Sequence, residues 1–330
     1  MRILVTGGAG MIGVKLAERL ARDGVLAAEP ILDVLLADIV EPSRPARAGF
    51  NIGTVVADLA DQGVVGDLLA GRPDVIFHLA AVVSGAAEQD LEAGYRTNLD
   101  GTRSLLDSIQ RLGPGYRPRV VFASSIGVFG APFPEVIGDD QCLTPLTSYG
   151  TQKAIVELLL TDYSRRGFLD GIAIRLPTIC VRPGKPNQAA SGFFSSIIRE
   201  PLNGLEALLP VPDDTRHWHA SPRSAVGFLL HAAEICPDVL GERRCLTMPG
   251  VSVTVGEQIE ALRRVAGDAV VRHIRREPDE TIMRIVAGWP RDFDPRRARA
   301  LGFKAEADFE EIIRIHIEDE LGGTIPGAGS

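Results

Sequence analysis

Arg2-Ile-Leu-Val-Thr-Gly-Gly-Ala-Gly-Met-Ile-Gly13 is the stretch from which the rest of the chain is read. A short apolar run predicts a strand over Arg2–Thr6, and Gly7, Gly8, Gly10 and Gly13 follow it at once. Ile12, Leu16 and Leu20 then recur at i, i+4 spacing as far as Gly24, which predicts a helix closed by a C′ glycine. Glycines between a strand and a helix permit a tight turn, close backbone approach to a pyrophosphate, and close helix–strand packing. The helix start adds unpaired N–H groups and a partial positive charge, which suit phosphate. The spacing is G-x-x-G-x-x-G, and taken alone it also fits an ordinary strand–helix turn.

Outward from this loop, strands are predicted at Val34–Ala37, Gly53–Ala57, Val75–Leu79, Arg119–Ser124 and Gly171–Leu176, with helical patterns between them. Apolar strands alternating with helices predict an α/β fold, a parallel sheet covered on both faces. The expectation is a Rossmann-type doubly wound sheet over 1–177 and a smaller C-terminal α/β substrate lobe over 178–330. Part of the lobe, about 220–250, could return to the first domain, with Arg244–Met248 as a sheet strand. Helical patterns near Val255–Val265 and Ala307–Glu318 close the chain, and the Gly/Pro/Ser-rich tail from Gly322 is expected to fray.

The composition agrees with a folded globular chain. Of 330 residues, 45% are hydrophobic and 24% charged, an ordinary globular balance that argues against disorder. The formal charge of −8 argues against a general nucleic-acid binder. No run reaches the ~20 apolar residues of a membrane span. The opening lacks a basic n-region and an apolar h-region, so no signal peptide is expected. Cys142, Cys180, Cys236 and Cys245 are widely spaced and read as free thiols in a reducing cytoplasm.

Asp38 ends the second predicted strand, where a carboxylate can accept hydrogen bonds from the adenosine ribose hydroxyls. The same charge repels a 2′-phosphate, so NAD is expected over NADP. Asp58, ending the third strand, could meet the adenine amino group or merely form a turn. Further on, Tyr149 and Lys153 lie four apart at the start of a helical pattern that runs through Leu158, Leu159 and Leu160, so phenol and ammonium share a face. A cation beside a phenol lowers its pKa from near 10 toward the working range. Such a pair serves where an alcohol loses its proton as a hydride departs. Ser124 and Ser125 close the fifth strand at the carboxyl edge of the sheet, where an α/β fold places ligands. Ser125 can therefore hydrogen-bond a reacting oxygen.

Thr6-Gly-Gly-Ala-Gly-Met-Ile-Gly13, His78-Leu-Ala-Ala81, Asn98-Leu-Asp-Gly-Thr102, Ser124-Ser125 and Tyr149-x-x-x-Lys153 together resemble the extended short-chain dehydrogenases/reductases, the NAD-dependent epimerase/dehydratase family. The resemblance covers almost the whole chain. It implies Tyr149 as catalytic acid/base, Lys153 on the nicotinamide ribose, and Ser125 orienting the substrate oxygen. It also implies NAD contacts from Gly7, Gly10, Met11, Ile12, Gly13, Asp38, Asp58, Leu59, Leu79, Ala80, Ala81, Asn98, Ser124, Pro177 and Thr178. A homodimer is a further expectation from the resemblance alone.

Ser148–Ala154, Leu176–Asn187 and Ser221–Arg223 are similar to the branch of that family that oxidises four-carbon sugar acids at the C2 hydroxyl. A carboxylate substrate calls for a cationic or multi-donor partner. Candidates are Arg182, Lys185, Asn187, Ser191 and Arg216, with Ser84 near the reacting end. Ile126-Gly127 stands where the dehydratase branch carries an Asp-Glu pair, which disfavours dehydration. A nucleotide-sugar 4-epimerase and a non-catalytic NAD(H)-sensing regulator are the remaining alternatives. His217 and His219 would share one face of a strand, but no carboxylate or cysteine cluster joins them, so no metal site is expected.

Overall fold

The computed structural model describes residues 1–184 and 190–326. Candidates Lys185 and Asn187 lie outside the described residues.

Six strands of the first half are Arg2–Thr6 (β1), Asp33–Asp38 (β2), Asn51–Val56 (β3), Val75–His78 (β4), Arg119–Ser125 (β5) and Asp170–Leu176 (β6). Thr178–Ile179 (β7), Arg216–Ala220 (β8), Cys245–Thr247 (β9) and Val251–Thr254 (β10) follow. The helices that matter below are Met11–Asp23 (α1), Thr102–Arg111 (α2), Ser148–Arg165 (α3), Gly192–Leu202 (α4), Pro222–Glu234 (α5), Val255–Ala266 (α6) and Phe309–Leu321 (α7).

β9, β6, β5, β4, β1, β2 and β3 form, in that order, one seven-stranded sheet, and every pairing in it is parallel. The expected doubly wound α/β sheet is thus the one observed. Four of the five residues of β1 and all four of β4 are buried without alternation, as a sheet covered on both faces requires. The chain runs outward from β1 to β3, then restarts on the other side at β4. A crevice therefore opens beyond the carboxyl ends of β1 and β4, the place where such sheets bind ligands.

The chain divides into two compact units. The first holds 1–128, 147–176 and 226–248, and the second holds 129–146, 177–225 and 249–330. In the first, Leu4, Ile76, Leu105, Val120, Phe122 and Val156 belong to one buried cluster between sheet and helices. In the second, β8 pairs with β7 in parallel and with β10 in antiparallel, while Phe194, Ile197, Leu262, Ile312 and Ile313 join α4, α6 and α7 in a separate core.

Two helices differ instructively from their hydrophobic pattern. α1 buries Gly13, Leu16, Ala17 and Leu20, whereas Ile12 is only half-buried. Small residues on that face let the helix lie close to the strand, and Gly24 closes it in the left-handed region at φ 67°. In α3 the leucine run marks the core only in part: Leu158 is 70% exposed and Leu160 1%. The buried face carries Gln152, Lys153 and Glu157 beside Val156 and Leu160. Polar groups are buried at a cost unless they are hydrogen-bonded, so such a face points to a specific use.

Candidate active site

The glycine loop is packed too tightly for side chains at two of its positions. A Cβ on Gly13 would overlap the Gly7 carbonyl oxygen and stand 2.8 Å from Gly8 Cα. A Cβ on Gly7 would stand 2.6 Å from the Ala80 nitrogen, and Gly7 also has φ +77°. The loop therefore lies directly against the Leu79–Ala80 backbone at the crevice between β1 and β4. Met11 and Ile12, half-buried in the first turn of α1, follow it.

Asp38 is joined to this loop: its Oδ2 accepts the Ala9 N–H at 3.0 Å, and its Oδ1 the Ile39 N–H at 2.7 Å. This cradle of close backbone, a helix N-terminus and a neighbouring carboxylate has the donor and acceptor set that a dinucleotide requires. Asp58 is placed differently from a simple adenine acceptor. Its Oδ1 takes the Ala60 N–H at 2.9 Å in a turn, and its Oδ2 pairs with Arg96 at 2.7 Å. Leu59 beside it is buried.

His78 ends β4 and is fully enclosed. Thr102 Oγ1 donates to the Asn98 carbonyl at 2.8 Å, so it accepts from His78 Nε2 at 2.8 Å. His78 Nδ1 is then left to accept from Thr6 Oγ1 at 2.7 Å. The imidazole is thereby fixed neutral, and burial with the nearby Lys153 charge lowers its pKa to about 3. Asn98 lies in a wide π turn, Arg96–Gly101, that leads into α2. Its Oδ1 accepts the Val82 N–H at 2.8 Å, and its Nδ2 donates to the Val82 carbonyl at 3.0 Å and to Gln152 Oε1 at 2.7 Å.

α3 begins with Thr147, whose Oγ1 accepts the Gly150 N–H at 3.0 Å. This cap sets Tyr149 in the first turn, half-buried, and Lys153 one turn on, 3% exposed. Lys153 Nζ donates to the Ala123 carbonyl at 2.8 Å. It lies 4.6 Å from the centre of the Phe122 ring and 5.6 Å from that of Tyr149. Burial pushes the ammonium down to about 7, against the opposing charge of Glu157.

Gly127 brings Ser125 and Tyr149 together. A Cβ there would stand 3.3 Å from Ser125 Oγ and 3.7 Å from Tyr149 Cδ1. The Gly127 N–H donates to Ser125 Oγ at 3.0 Å. Ser124, alternating to the other face of β5, turns into the core and donates to Glu157. Arg175 grips the same carboxylate, with Nη2 2.7 Å and Nε 3.2 Å from Oε2. The Ser124 hydroxyl is thus engaged under Lys153 and not directed at the crevice.

The remaining candidates are more dispersed. Ser84 is half-buried in the first turn of the short helix Ser84–Gln89. In the second unit Pro177 is buried, and Thr178 Oγ1 donates to His217 Nε2 at 2.7 Å, since His217 Nδ1 donates to the Pro290 carbonyl at 2.9 Å. Arg182 and Ser191 are brought together, Nη2 to Oγ 3.2 Å, with Arg182 Nε also on the Ile179 carbonyl. Arg216, at the start of β8, pairs with Glu257 at 3.2 Å and donates to the Ser252 carbonyl at 3.0 Å. His217 and His219 are ring neighbours of Phe194 in the core. Among the described residues no group of three or more His, Cys, Asp or Glu could hold a metal ion. None of the described helices is long and apolar enough to cross a membrane. Cys180 is buried, which pushes its thiol up to about 12 and removes it as a nucleophile.

Gln152, Glu157, Arg175 and Gly127 are the participants that motif reading missed. Three of them were within reach of it: Gln152 and Glu157 continue the i, i+3 and i, i+4 face of Tyr149 and Lys153, and Gly127 follows Ser125 by two.

The buried neutral histidines predict acid lability. His78 titrates at about 3 and His217 at about 4 when folded, both lowered by burial from 6.5. The unfolded chain therefore binds more protons between these values, and stability present above pH 6.5 is lost as the pH falls. The melting temperature should drop steadily from pH 6.5 toward 4, with a flatter profile for His78→Gln. A flat profile for the parent chain over that range would contradict the assignment.

A sheet reversed at β1, a phosphate-type loop at the reversal and a phenol–ammonium pair on one helix define a dinucleotide-dependent enzyme class. The chain belongs to the NAD dependent epimerase/dehydratase family, whose model matches residues 3–219. It is 48% identical to the D-erythronate dehydrogenase of Cupriavidus necator over 97% of this chain and 98% of that protein. It is 43% identical to that of Haemophilus influenzae, over 97% of this chain and 100% of the relative. A solved structure described as the nucleoside-diphosphate-sugar epimerase from Agrobacterium tumefaciens superposes with a TM-score of 0.97 at 61% identity, covering 98% of this chain and 96% of that one.

Proposed function

We propose that this chain is an NAD-dependent dehydrogenase that oxidises the C2 hydroxyl of a small sugar acid, D-erythronate, to the 2-oxo acid. The observation that carries the chemistry is the convergence of Ser125, Gly127, Tyr149 and Lys153. The substrate comes from the two curated relatives, which share the chain's full length and bear that name.

Bound NAD supplies the hydride acceptor. The glycine loop with Met11 and Ile12 would hold its pyrophosphate, Asp38 its adenosine ribose, and Leu79–Ala81 its nicotinamide half, with Asn98 supporting that segment through both backbone groups of Val82. A hydroxyl has one proton and two lone pairs. Because Ser125 Oγ accepts the Gly127 N–H, its own proton is left to donate to the substrate oxygen. Tyr149 Oη takes the proton from the C2 hydroxyl. Lys153, anchored by the Ala123 carbonyl, favours the phenolate and retains further N–H donors for a ribose hydroxyl.

Arg182 and Ser191, already hydrogen-bonded to each other, are assigned the substrate carboxylate. A cytoplasmic homodimer completes the reading. A redox-sensing regulator would have no need of the Tyr149–Lys153 pair, which argues for a catalyst.

The name of the 61% identical structure favours a second reading, a nucleotide-sugar epimerase. The two separate in one experiment. With NAD and D-erythronate the protein should form one reduced nicotinamide per acid consumed, followed by absorbance. Interconversion of a nucleotide sugar with no net reduced nicotinamide, and no reaction with the acid, would establish the second reading instead.

A further inference from the structure

We propose that Gln152 is a positioning residue: through Asn98 it locks the helical turn bearing Tyr149 and Lys153 to the segment Leu79–Val82. The inference rests on the catalytic reading above for its kinetic part only.

Gln152 lies between Tyr149 and Lys153 in sequence and is 0% exposed. Its Oε1 accepts from Asn98 Nδ2 at 2.7 Å, and the remaining polar atoms of the Asn98 amide close on both backbone groups of Val82. Asn98 therefore has one amide held by two elements, the strand-end segment on one side and α3 on the other. Gln152 Nε2 finds no hydrogen-bond partner among the described residues. Packing alone would favour an apolar side chain in such a place, since a buried, unsatisfied donor is destabilising. The carboxamide is kept for its acceptor oxygen.

The surroundings are shaped for it. Gly94 packs so closely that a Cβ there would stand 2.9 Å from Gln152 Nε2 and 3.1 Å from Ala87 Cβ. The π turn Arg96–Gly101 then delivers Asn98, 2% exposed, to the carboxamide. Wide turns of this kind are often found at functional sites. Misplacement of a reacting group by about 1 Å costs on the order of a hundredfold in rate, so a tie here acts on turnover without touching substrate.

The test compares Gln152→Met, of similar length but without the acceptor, with Gln152→Glu, which keeps an oxygen for Asn98. Two readouts are taken on the full chain: amide hydrogen exchange at Val82, and kcat set against KM for NAD. Gln152→Met should speed exchange at Val82 about tenfold and lower kcat about tenfold, with KM for NAD within about threefold, as loss of one buried hydrogen bond predicts. Gln152→Glu should restore most of both. Parent-like exchange at Val82 in Gln152→Met overturns the proposal whatever turnover does, and so does faster exchange with unchanged kcat. Should the parent chain oxidise no alcohol, the functional reading fails by itself, and Val82 exchange still decides for or against the tie. If Gln152→Met does not fold, Gly94→Ala, which crowds the same carboxamide, carries the same expectations.

Discussion

Replacing Tyr149 with phenylalanine should lower kcat by about a thousandfold, the middle of the range for a lost general acid–base group, while NAD affinity stays within a few-fold. The phenol is half-buried in the first turn of α3, with its ring against Gly127 and Lys153 Nζ 5.6 Å from the ring centre. Phenylalanine keeps the ring and its contacts, so the backbone, the Thr147 cap and the Lys153 anchor on Ala123 have no reason to move. Only the proton acceptor is removed. Stopped turnover with intact NAD titration is the expected pair of results. A variant that still turns over would show that another group takes the proton, with Lys153 at about 7 the first to consider.

Gly13→Ala should weaken NAD binding by up to about a hundredfold, since overpacking of up to about 3 kcal/mol converts to that ratio. The added carbon meets backbone on every side: the Gly7 carbonyl oxygen, Gly7 C at 3.0 Å and Gly8 Cα at 2.8 Å. Backbone cannot rotate away as a side chain can, so the loop must leave its seat against Leu79–Ala80. Gly8→Ala is the useful comparison, because its nearest contact would be Leu36 Cβ at 3.0 Å, against the outright overlap with backbone at Gly13. NAD titration of both variants checks the order. Equal affinity in the parent chain and Gly13→Ala would mean that the loop does not carry the dinucleotide.

The parallel sheet could be read from the sequence because its strands are short, apolar and separated by helical patterns, which is what burial on both faces imposes. The glycine loop was equally legible, since only glycine fits where backbone lies against backbone. Tyr149, Lys153 and Ser125 were visible as residue types with a chemical use at strand and helix ends. What escaped was the buried polar layer beneath them. Hydrophobic patterning searches for apolar faces, and the buried face of α3 carries Gln152, Lys153 and Glu157 beside Val156 and Leu160. The partner of Glu157, Arg175, comes from β6 and is separated by 18 positions. No local pattern joins such residues; only the fold does. The same holds for Arg216, whose ion pair with Glu257 joins β8 to α6 across 41 positions of the chain.

Removing Arg175 would leave Glu157 enclosed without its cation, which explains why a helix this polar on its inner face is stable at all: the carboxylate is gripped from β6 and receives the Ser124 hydroxyl. That network sits one turn beyond Lys153, so the stability of α3 and the placement of its ammonium have a common origin.

The central claim is that this chain moves a hydride from the alcohol carbon of a sugar acid while Tyr149 takes the hydroxyl proton. D-Erythronate labelled with deuterium at C2, incubated with NAD and the parent chain, tests it most directly. The account predicts reduced coenzyme that carries the label in equal amount to the 2-oxo acid formed. Unlabelled reduced coenzyme, or label retained in an unoxidised acid, would contradict it.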